Sequence, residues 1–267
     1  MMGSKTSGHP AAIARHGRFR PTLLIYLSMG FWTVLFCLVM GGPFLWMRCF
    51  GSKRGCGRFF RRVIWWYGRL MIYVAVWPWV RVRVVNPEAC RKRAAGIWVF
   101  NHRSGSDPFL MASLGFCDLV QAVNGWPMRL PFFGYFARLG GYLDITNMSY
   151  GAMEEEMREL FDSGVALVAF PEGTRSGSRR MNQFRSGVFK LARDSAVPVY
   201  ACCIVGNENL PDRSFRFGCG TIRVAFLREF TRAEVTLTPN VFLLKKRVRE
   251  TIARGMAELE GTGAGEP

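Results

Sequence analysis

Two patterns of apolar residues divide the chain near residue 84. Before that point lie two long apolar segments: 22–47 has 26 residues without a charge, and 63–80 holds one arginine and four tryptophans. After it, short β-branched runs alternate with amphipathic stretches. A segment of about 20 apolar residues is long enough to cross a bilayer. The alternation that follows is typical of an α/β domain with a parallel sheet.

The alternation predicts five strands and five longer helices. The strand candidates, several of them apolar throughout as in sheets buried on both faces, are Gly96–Phe100, Leu119–Val123, Val165–Phe170, Val197–Val205 and Thr221–Leu227. The helix candidates are Pro108–Leu114, Pro131–Leu139, Tyr150–Asp162, Gln183–Asp194 and Asn240–Glu260. We therefore predict an α/β fold with a largely parallel sheet flanked by helices, preceded by an N-terminal membrane-embedded helical segment. The predicted organisation is a basic membrane anchor over 1–84, an α/β domain over 85–260 and a flexible tail over 261–267.

Positive charge is concentrated in the same N-terminal part of the chain. The formal net charge is +17, and the first 87 residues hold 13 Lys and Arg with no Asp or Glu. The remaining 180 residues hold 23 basic and 19 acidic side chains. Basic residues beside an apolar segment attract anionic headgroups by about 1 kcal/mol each, so membrane lipids are the expected partners. Nucleic acid is the weaker alternative for so apolar a region, and we expect none to bind.

The two apolar segments predict a retained anchor whose topology stays open. No small-residue cleavage site of a signal peptide follows the first segment. Basic residues flank this segment on both sides, and the positive-inside rule places both flanks in the cytoplasm. A hairpin broken at Gly41-Gly42-Pro43, or a span with a return segment, satisfies that rule, whereas a single span does not. The Trp-rich second segment is typical of a membrane interface.

The cysteines indicate the compartment of the domain that follows. All eight are scattered, without a C-x-x-C pair or a cluster that includes histidine. Such cysteines are usually reduced and buried, so we expect a domain that faces the cytoplasm and has no structural metal.

Candidate chemistry begins at His102, the only histidine outside the basic leader. It follows the apolar run 97–100, at a strand end where ligand sites in α/β sheets collect, and it precedes Asp107 by five residues. The small linker Ser104-Gly105-Ser106 allows the two side chains to meet, so that Asp107 orients the imidazole as a base. The alternatives are a buried, hydrogen-bonded histidine and, for Asp107, an N-cap followed by Pro108 at the first helical position.

A second charged turn, with the sequence P-E-G-T-R, follows the apolar run 165–170. Gly173 permits a tight turn and the close approach of a ligand. Arg175 offers a planar fork of donors suited to phosphate, and Arg185 lies nearby in the sequence. The alternative is a surface loop with solvated arginines. We expect both turns at the same edge of the sheet.

Together the two turns resemble a known family. N-H-R-S-G-S-D, residues 101–107, is similar to the N-H-x4-D block of the glycerolipid acyltransferases, the 1-acylglycerol-3-phosphate acyltransferases and their relatives. F-P-E-G-T-R, residues 170–175, resembles a second block of that family. Phe184–Ala192 and Val197–Tyr200 are similar to the blocks that follow. The resemblance covers about residues 97–205 and makes 85–260 an expected acyltransferase domain.

The resemblance implies an O-acyltransferase of phospholipid biosynthesis. It would move a fatty acyl chain from an acyl thioester to the hydroxyl of a lysophospholipid, 1-acyl-sn-glycerol-3-phosphate. His102 would be the catalytic base and Asp107 its orienting partner. The residues implied to bind the acceptor are Glu172, Gly173, Thr174, Arg175 and Arg185. No cofactor is implied; acyl-coenzyme A or acyl carrier protein is the co-substrate. A non-catalytic lipid-binding relative and a lipid hydrolase that uses His102 with water are the alternatives.

One block departs from the family pattern. The family often has an arginine after a glycine and an apolar run, and the stretch Gly140–Asn147 has none near Thr146. The nearest arginines are Arg138 and Arg158. One possibility is that Arg103 or Arg185 supplies the missing cation. The other is that the acceptor is a different lyso-lipid, such as a lyso-aminolipid.

Overall fold

A computed structural model of the chain describes residues 11–91, 95–129 and 133–262. In these ranges seven strands form one sheet, which is surrounded by α-helices, one π-helical turn and one 3-10 turn. The strands are β1 Val80–Val85, β2 Gly96–Val99, β3 Leu119–Val123, β4 Leu143–Asp144, β5 Ala166–Ala169, β6 Val199–Val205 and β7 Gly220–Phe230. The α-helices are α1 Ala11–Phe50, α2 Lys53–Leu70, α3 Pro87–Arg91, α4 Asp107–Leu110, α5 Gly125–Met128, α6 Phe133–Gly140, α7 Tyr150–Asp162, α8 Gly187–Asp194, α9 Arg232–Leu237 and α10 Val241–Thr262.

The strand order in the sheet is β1-β7-β6-β2-β5-β3-β4. Strands β6, β2, β5, β3 and β4 pair in parallel. β7 runs antiparallel to β6, and β1 pairs in parallel with β7 at the outer edge. The predicted α/β fold with a largely parallel sheet is therefore confirmed, with one antiparallel junction.

The sheet is buried on both faces, and the side chains of β2 show how. Ile97 and Val99 belong to one hydrophobic core, and Trp98 and Phe100 belong to the other; all four are fully buried. Helices α7, α8 and α10 cover the first face. The π-helical turn Met71–Ala75, helix α4 and the N-terminal half of α1 cover the second face. Burial on both faces explains why the central strands are apolar throughout.

Most of the predicted elements are present, and the differences lie at their ends. All five predicted strands form, and the helix Tyr150–Asp162 has the predicted bounds. The helix expected from Gln183 begins at Gly187, because the backbone N–H of Arg185 donates to Pro171 O at 2.8 Å and holds the preceding residues as a loop. Pro108–Leu114 divides into α4 and the 3-10 turn Met111–Leu114. Pro131 and Phe132 lie outside the described residues.

The first strand was not predicted. β1 begins at Val80 and pairs with the residues of β7 from Gly220 to Ala225. Its V-R-V-R sequence alternates an apolar with a basic residue, which is typical of a strand with one solvated face. The domain boundary expected after residue 84 falls inside this strand, so the chain joins the sheet before that boundary.

Helices α1 and α2 form an antiparallel pair. The hydroxyls of Thr33 and Tyr67 lie 2.9 Å apart, and the ring centroids of Phe44 and Phe60 lie 5.7 Å apart. Within the described ranges, Pro21–Phe50 is the only helix long and apolar enough to cross a membrane, by length and composition. Only 6% of its most apolar window is buried, so it is not a core helix.

The chain reverses direction at Gly51 and Ser52. A Cβ at Gly51 would lie 2.4 Å from the carbonyl oxygen of Met47, so only glycine fits this turn. The hydroxyl of Ser52 accepts from the backbone N–H of Gly55 and caps α2. Of the two alternatives for the anchor, the hairpin broken at Gly41-Gly42-Pro43 is wrong, because α1 continues through these residues. Of the expected tail, 261 and 262 belong to α10; residues 263–267 and the first ten residues lie outside the described part.

Candidate active site

The candidate site lies at the carboxyl ends of β2, β5 and β6, three adjacent parallel strands. Asn101 ties the end of β2 to β6, because its side chain donates to Ile204 O at 2.9 Å and accepts from Ile204 N at 2.8 Å. The loop after β2 is joined to the loop after β5 by backbone bonds from Ser176 N to His102 O and from Gly177 N to Arg103 O. The two predicted turns therefore meet at one edge of the sheet.

His102 and Asp107 form a hydrogen-bonded pair. Nδ1 of His102 lies 2.6 Å from Oδ2 of Asp107, and the carboxylate is fully buried while the imidazole remains 17% exposed. The imidazole ring packs on Phe170, with ring centroids 4.8 Å apart. A proton on Nδ1 that is donated to the carboxylate leaves Nε2 with a lone pair. Among the described residues, no hydrogen bond involves Nε2, so this nitrogen is available as a base.

The carboxylate of Asp107 accepts four hydrogen bonds in all. Besides His102, Oδ2 accepts from the backbone N–H groups of Arg103 and Ser104 at 2.8 and 3.0 Å, and Oδ1 accepts from the side-chain amide of Asn207. These donors replace the hydration that burial removes from a carboxylate. The alternative of simple helix capping is wrong: the N-cap of α4 is Ser106, and Asp107 turns back toward the loop.

Glu172 lies beneath the loop rather than in its mouth. Oε1 accepts from His102 N at 2.6 Å and Oε2 accepts from Asn182 N at 2.7 Å, and the residue is 4% exposed. Burial raises the pKa of this carboxyl, and the two backbone hydrogen bonds oppose the shift. Both carboxylate oxygens accept hydrogen bonds from backbone N–H groups. Glu172 is therefore not placed to bind the acceptor directly.

Gly173 supplies the turn expected of it. Its φ is +72°, and a Cβ there would lie 2.8 Å from Nε of Arg185, so the guanidinium rests on the glycine. The carbonyl of Gly173 accepts from the side chain of Asn124 at 3.0 Å. Thr174 and Arg185 are exposed at the mouth of the site. The structure therefore brings Gly173, Thr174 and Arg185 together.

Arg175 completes the cationic side of the site. A Cβ at Gly105 would lie 3.1 Å from Nη1 of Arg175, so the guanidinium borders the loop that carries His102. Its other neighbour is Phe215, whose ring centroid lies 5.0 Å from the guanidinium carbon. Phe215 is 52% exposed and has a φ of +58°. Arg175 is thus held between the loop after β2 and the loop after β6.

The loop after β6, residues 206–219, was not predicted to belong to the site. Asn207 binds Asp107, Pro211 O accepts from the Ser104 hydroxyl at 2.7 Å, and Arg213 donates to Ser176 O. Tyr26 of α1 donates to Phe215 O at 2.9 Å and so joins this loop to the apolar helix. The available signal was a run of polar residues directly after an apolar strand of the same sheet.

Arg103 cannot supply the cation missing near Thr146. Its side chain is 1% exposed and pairs with Glu260 of α10 at 2.6 Å and with Glu208 at 3.4 Å. The expectation for Arg103 is therefore wrong, and Arg185 remains. Thr146 itself accepts from Gly125 N at 2.9 Å.

The corner around Thr146 carries a carboxylate, Asp144. Partial burial acts to raise the pKa of Asp144, but hydrogen bonds from Asn147 and Thr146 outweigh it, and the pKa lies below its usual value. Arg129 is also close enough for its charge to lower the pKa of that carboxylate. The two nearest arginines in the sequence are used elsewhere: Arg138 donates to Met128 O at 2.7 Å, and Arg158 pairs with Glu154 on α7.

Comparison with known proteins identifies this arrangement. Residues 81–205, which hold the catalytic pair and the P-E-G-T-R turn, match the family model described as Acyltransferase. Three similar curated proteins are the "Probable 1-acyl-sn-glycerol-3-phosphate acyltransferase" of Mycoplasma pneumoniae and the 1-acyl-sn-glycerol-3-phosphate acyltransferases of Limnanthes alba and Escherichia coli, with 30%, 26% and 25% identity. The matched segment is similar to the glycerolipid acyltransferases, in agreement with the resemblance of the two sequence blocks.

The alignments cover only part of each protein. They take in 48%, 53% and 49% of this chain and 50%, 59% and 55% of the three relatives, so the chain spans about half the length of the curated relatives it matches. The crystal structure of the 1-acyl-sn-glycerophosphate (LPA) acyltransferase PlsC from Thermotoga maritima superimposes with a TM-score of 0.74. The superposition covers 91% of this chain and 98% of the Thermotoga chain. The sequence identity is 23%, so the comparison establishes the shared fold.

Proposed function

We propose that the protein is a membrane O-acyltransferase of phospholipid biosynthesis. It transfers a fatty acyl chain from an acyl thioester to the free hydroxyl of 1-acyl-sn-glycerol-3-phosphate. The observation that carries the proposal is the contact of 2.6 Å between His102 and the buried Asp107, beside the turn that bears Arg175. The printed names of the curated relatives support the same acceptor.

His102 acts as the general base and then as the general acid. Nε2 takes the proton of the acceptor hydroxyl while the hydroxyl oxygen attacks the thioester carbonyl. The tetrahedral intermediate collapses, the carbon–sulfur bond breaks, and the leaving thiolate takes the proton back from the imidazolium. Asp107 holds the tautomer that leaves Nε2 free and stabilises the positive charge that forms on the ring. No acyl-enzyme forms, and acyl-coenzyme A or acyl carrier protein is the only co-substrate needed.

Arg175 and Arg185 bind the acceptor phosphate. Their guanidinium groups border Gly105 and Gly173, one glycine in each of the two loops. Glycine lets a phosphate approach the backbone closely, and guanidinium forks bind phosphate through paired hydrogen bonds. Glu172 is a positioning residue, since it fixes the backbone of His102 from below. Thr174 lies exposed beside the phosphate and offers a hydroxyl.

The acceptor reaches the site from the lipid bilayer. Helix α1 is apolar over Pro21–Phe50, and Tyr26 near its start contacts the loop that holds Phe215 against Arg175. We place the helix pair in the membrane and the domain on the cytoplasmic side, where the basic residues around α2 face anionic lipids. The same positive charge favours an acidic carrier protein as well as the phosphates of coenzyme A.

The test is acyl transfer by the purified full chain in lipid nanodiscs, with labelled acyl-coenzyme A and labelled acyl carrier protein in parallel. Label is expected on 1-acyl-sn-glycerol-3-phosphate, and none with His102→Ala. Asp162→Asn, a change on the exposed end of α7, is the matched control and should leave the rate unaltered. Fatty acid released without any acceptor would indicate a hydrolase, and no transfer to any acceptor would contradict the proposal.

A different lyso-lipid is the second candidate acceptor. The observation that favours it is the corner near Thr146, where Asp144 stands and no arginine follows. A carboxylate there would repel a phosphate dianion and would attract an amine. Transfer of label to a lyso-aminolipid but not to 1-acyl-sn-glycerol-3-phosphate would decide for this candidate.

A further inference from the structure

A groove runs along the helix pair and is lined only by residues of α1, α2 and the π-helical turn. It has a volume of about 670 Å³ and lies between α1 and the face of α2 that continues into the π-helical turn. Phe36 and Met40 form one wall, and Val63 and Trp66 form the other. The volume falls within the range of roughly 300–1,000 Å³ that suits drug-sized molecules, and the lining is almost entirely apolar.

Two arginines, Arg62 and Arg69, stand in this apolar lining. The guanidinium of Arg69 lies 4.9 Å from the ring centroid of Trp65 and 5.0 Å from that of Tyr73, and Arg62 is exposed. In the described part of the chain, neither arginine forms an ion pair with a carboxylate. Two cations seven residues apart lie on the same face of a helix, two turns from each other.

The neighbouring Arg61 shows that the fold provides a counterion where the cation faces the domain. Its guanidinium is 9% exposed and pairs with Asp118 at 3.3 Å, and Nη1 also donates to Gly140 O. One position along the helix, Arg62 points into the groove without such a partner. Arg62 is exposed, and among the described residues Arg69 donates only to the backbone carbonyl of Ala112, so both guanidinium groups are available to an anion from outside the chain.

We propose that the groove is a binding site for an anionic glycerophospholipid of the bilayer. One acyl chain lies against Phe36, Met40 and Val63, and the phosphate binds Arg62 and Arg69. An apolar groove with cations at its border matches the two parts of such a lipid, whereas a nucleotide or an acidic peptide would leave the apolar walls uncovered. Every residue that lines the groove precedes residue 75, so the site is distinct from the catalytic loops.

Trp66 provides a direct probe of the site. It is 55% exposed and lines the groove, so bromine atoms on a bound acyl chain would quench its fluorescence. The full chain is placed in nanodiscs of unlabelled phosphatidylcholine that contain a small fraction of brominated phosphatidylglycerol or brominated phosphatidylcholine. The same measurement on Trp66→Phe gives the fluorescence of the other seven tryptophans. Its difference from wild type is the contribution of Trp66.

Brominated phosphatidylglycerol is expected to quench Trp66 at a mole fraction about 25-fold lower than brominated phosphatidylcholine. Each arginine contributes a preference of about fivefold, so Arg62→Gln should lose about that factor, and the double variant with Arg69→Gln nearly all of it. Arg62 is exposed, so its single variant tests the site without a risk to folding.

Arg58→Gln is the matched control, because Arg58 is exposed on the same helix and does not line the groove. It should keep the preference. Equal quenching by the two lipids would overturn the proposal, and so would an equal loss in Arg58→Gln, which would indicate attraction to the charged surface as a whole. The inference does not depend on acyl transfer, so inactivity in the transfer assay would leave it standing.

Discussion

Asn207 donates a side-chain hydrogen bond to Oδ1 of Asp107, the carboxylate oxygen that His102 does not use. The two residues lie 100 positions apart in the chain: Asn207 follows β6, and Asp107 begins α4 beyond the loop after β2, which pairs in parallel with β6. Both are fully buried. Asn207 therefore determines how the carboxylate is rotated, and through it how the imidazole of His102 is presented to the acceptor.

Asn207→Ala is expected to lower kcat about 10- to 100-fold and to leave the KM for the acceptor nearly unchanged. Loss of one hydrogen bond to a buried charge costs about 1.5–3 kcal/mol, and the bond matters most when the imidazole becomes charged in the transition state. Steady-state kinetics with purified protein measures both constants. Asn209→Ala, an exposed change in the same loop, should have no effect. A kcat within twofold of wild type would show that the loop N–H groups alone hold Asp107.

The contrast between Asp107 and Asn207 shows what the sequence can and cannot provide. His102 and Asp107 share one short loop after one strand, so their contact was predictable from spacing and from the type of residue. Asn207 meets them only because β6 lies beside β2, and strand order is set by packing of the whole sheet rather than by local sequence. An asparagine directly after an apolar strand was the one available hint.

Glu172 illustrates a different limit. Its place at a strand end and its charge suggested a ligand group, and the family resemblance implied the same. A local pattern does not determine which way a side chain at a turn points, and here the backbone N–H groups of His102 and Asn182 draw the carboxylate inward. The helix pair shows the same limit: a break at Gly41–Pro43 was one of two alternatives, and the chain instead turns at Gly51, where Ser52 caps α2.

The raised pKa of Glu172 predicts a pH-dependent contribution to stability. Burial favours the protonated carboxyl in the folded state, so the pKa is higher folded than unfolded. Between these two values the folded protein holds more protons than the unfolded protein, and stability falls as pH rises. Ionised Glu172 thus costs stability at neutral pH, and this cost is absent below the ordinary glutamate pKa of about 4.3.

Glu172→Gln removes this titration. The glutamine still destabilises the loop, because its NH2 group cannot accept from a backbone N–H as the second carboxylate oxygen does. The difference in melting temperature between wild type and Glu172→Gln should therefore narrow as the pH is raised from 4.5 toward neutrality. Thermal unfolding in detergent at several pH values measures it, with the exposed Glu155→Gln as control. A melting-temperature difference that stays constant or widens with pH would mean that the hydrogen bonds affect the pKa of Glu172 more than burial does.

Phe215 is expected to act through Arg175 on acceptor binding. The ring packs against the guanidinium at 5.0 Å, and such a contact at an exposed site is worth about 0.5–1 kcal/mol. Phe215→Ala should raise the KM for a phosphate-bearing acceptor about two- to fivefold and leave kcat unchanged. Phe242→Ala is the matched control, since that ring is also exposed and stacks with Lys245 on α10. An unchanged KM would argue against Arg175 as the phosphate ligand.

The ion pair between the buried Arg103 and the partly exposed Glu260 predicts that the last turn of α10 supports the catalytic loop. The guanidinium is 1% exposed and the carboxylate lies 2.6 Å from it, while the backbone N–H of Arg103 donates to Asp107. Glu260→Gln leaves the cation with only Glu208 as a charged partner among the described residues. A lost charged partner of a buried group costs about 1–3 kcal/mol, so the variant should melt at a lower temperature and should also lose activity.

Two controls separate this effect from a general loss of surface charge. Glu250→Gln lies on the same helix, where Glu250 is 55% exposed and 4.0 Å from Lys246, and it should change stability by less than about 0.5 kcal/mol. Glu260→Asp retains the charge and should recover part of both stability and kcat. If Glu260→Gln and Glu250→Gln have the same melting temperature, Glu208 alone is sufficient to hold Arg103. A drop in melting temperature without a change in kcat would show that the pair supports the fold but not the orientation of Asp107.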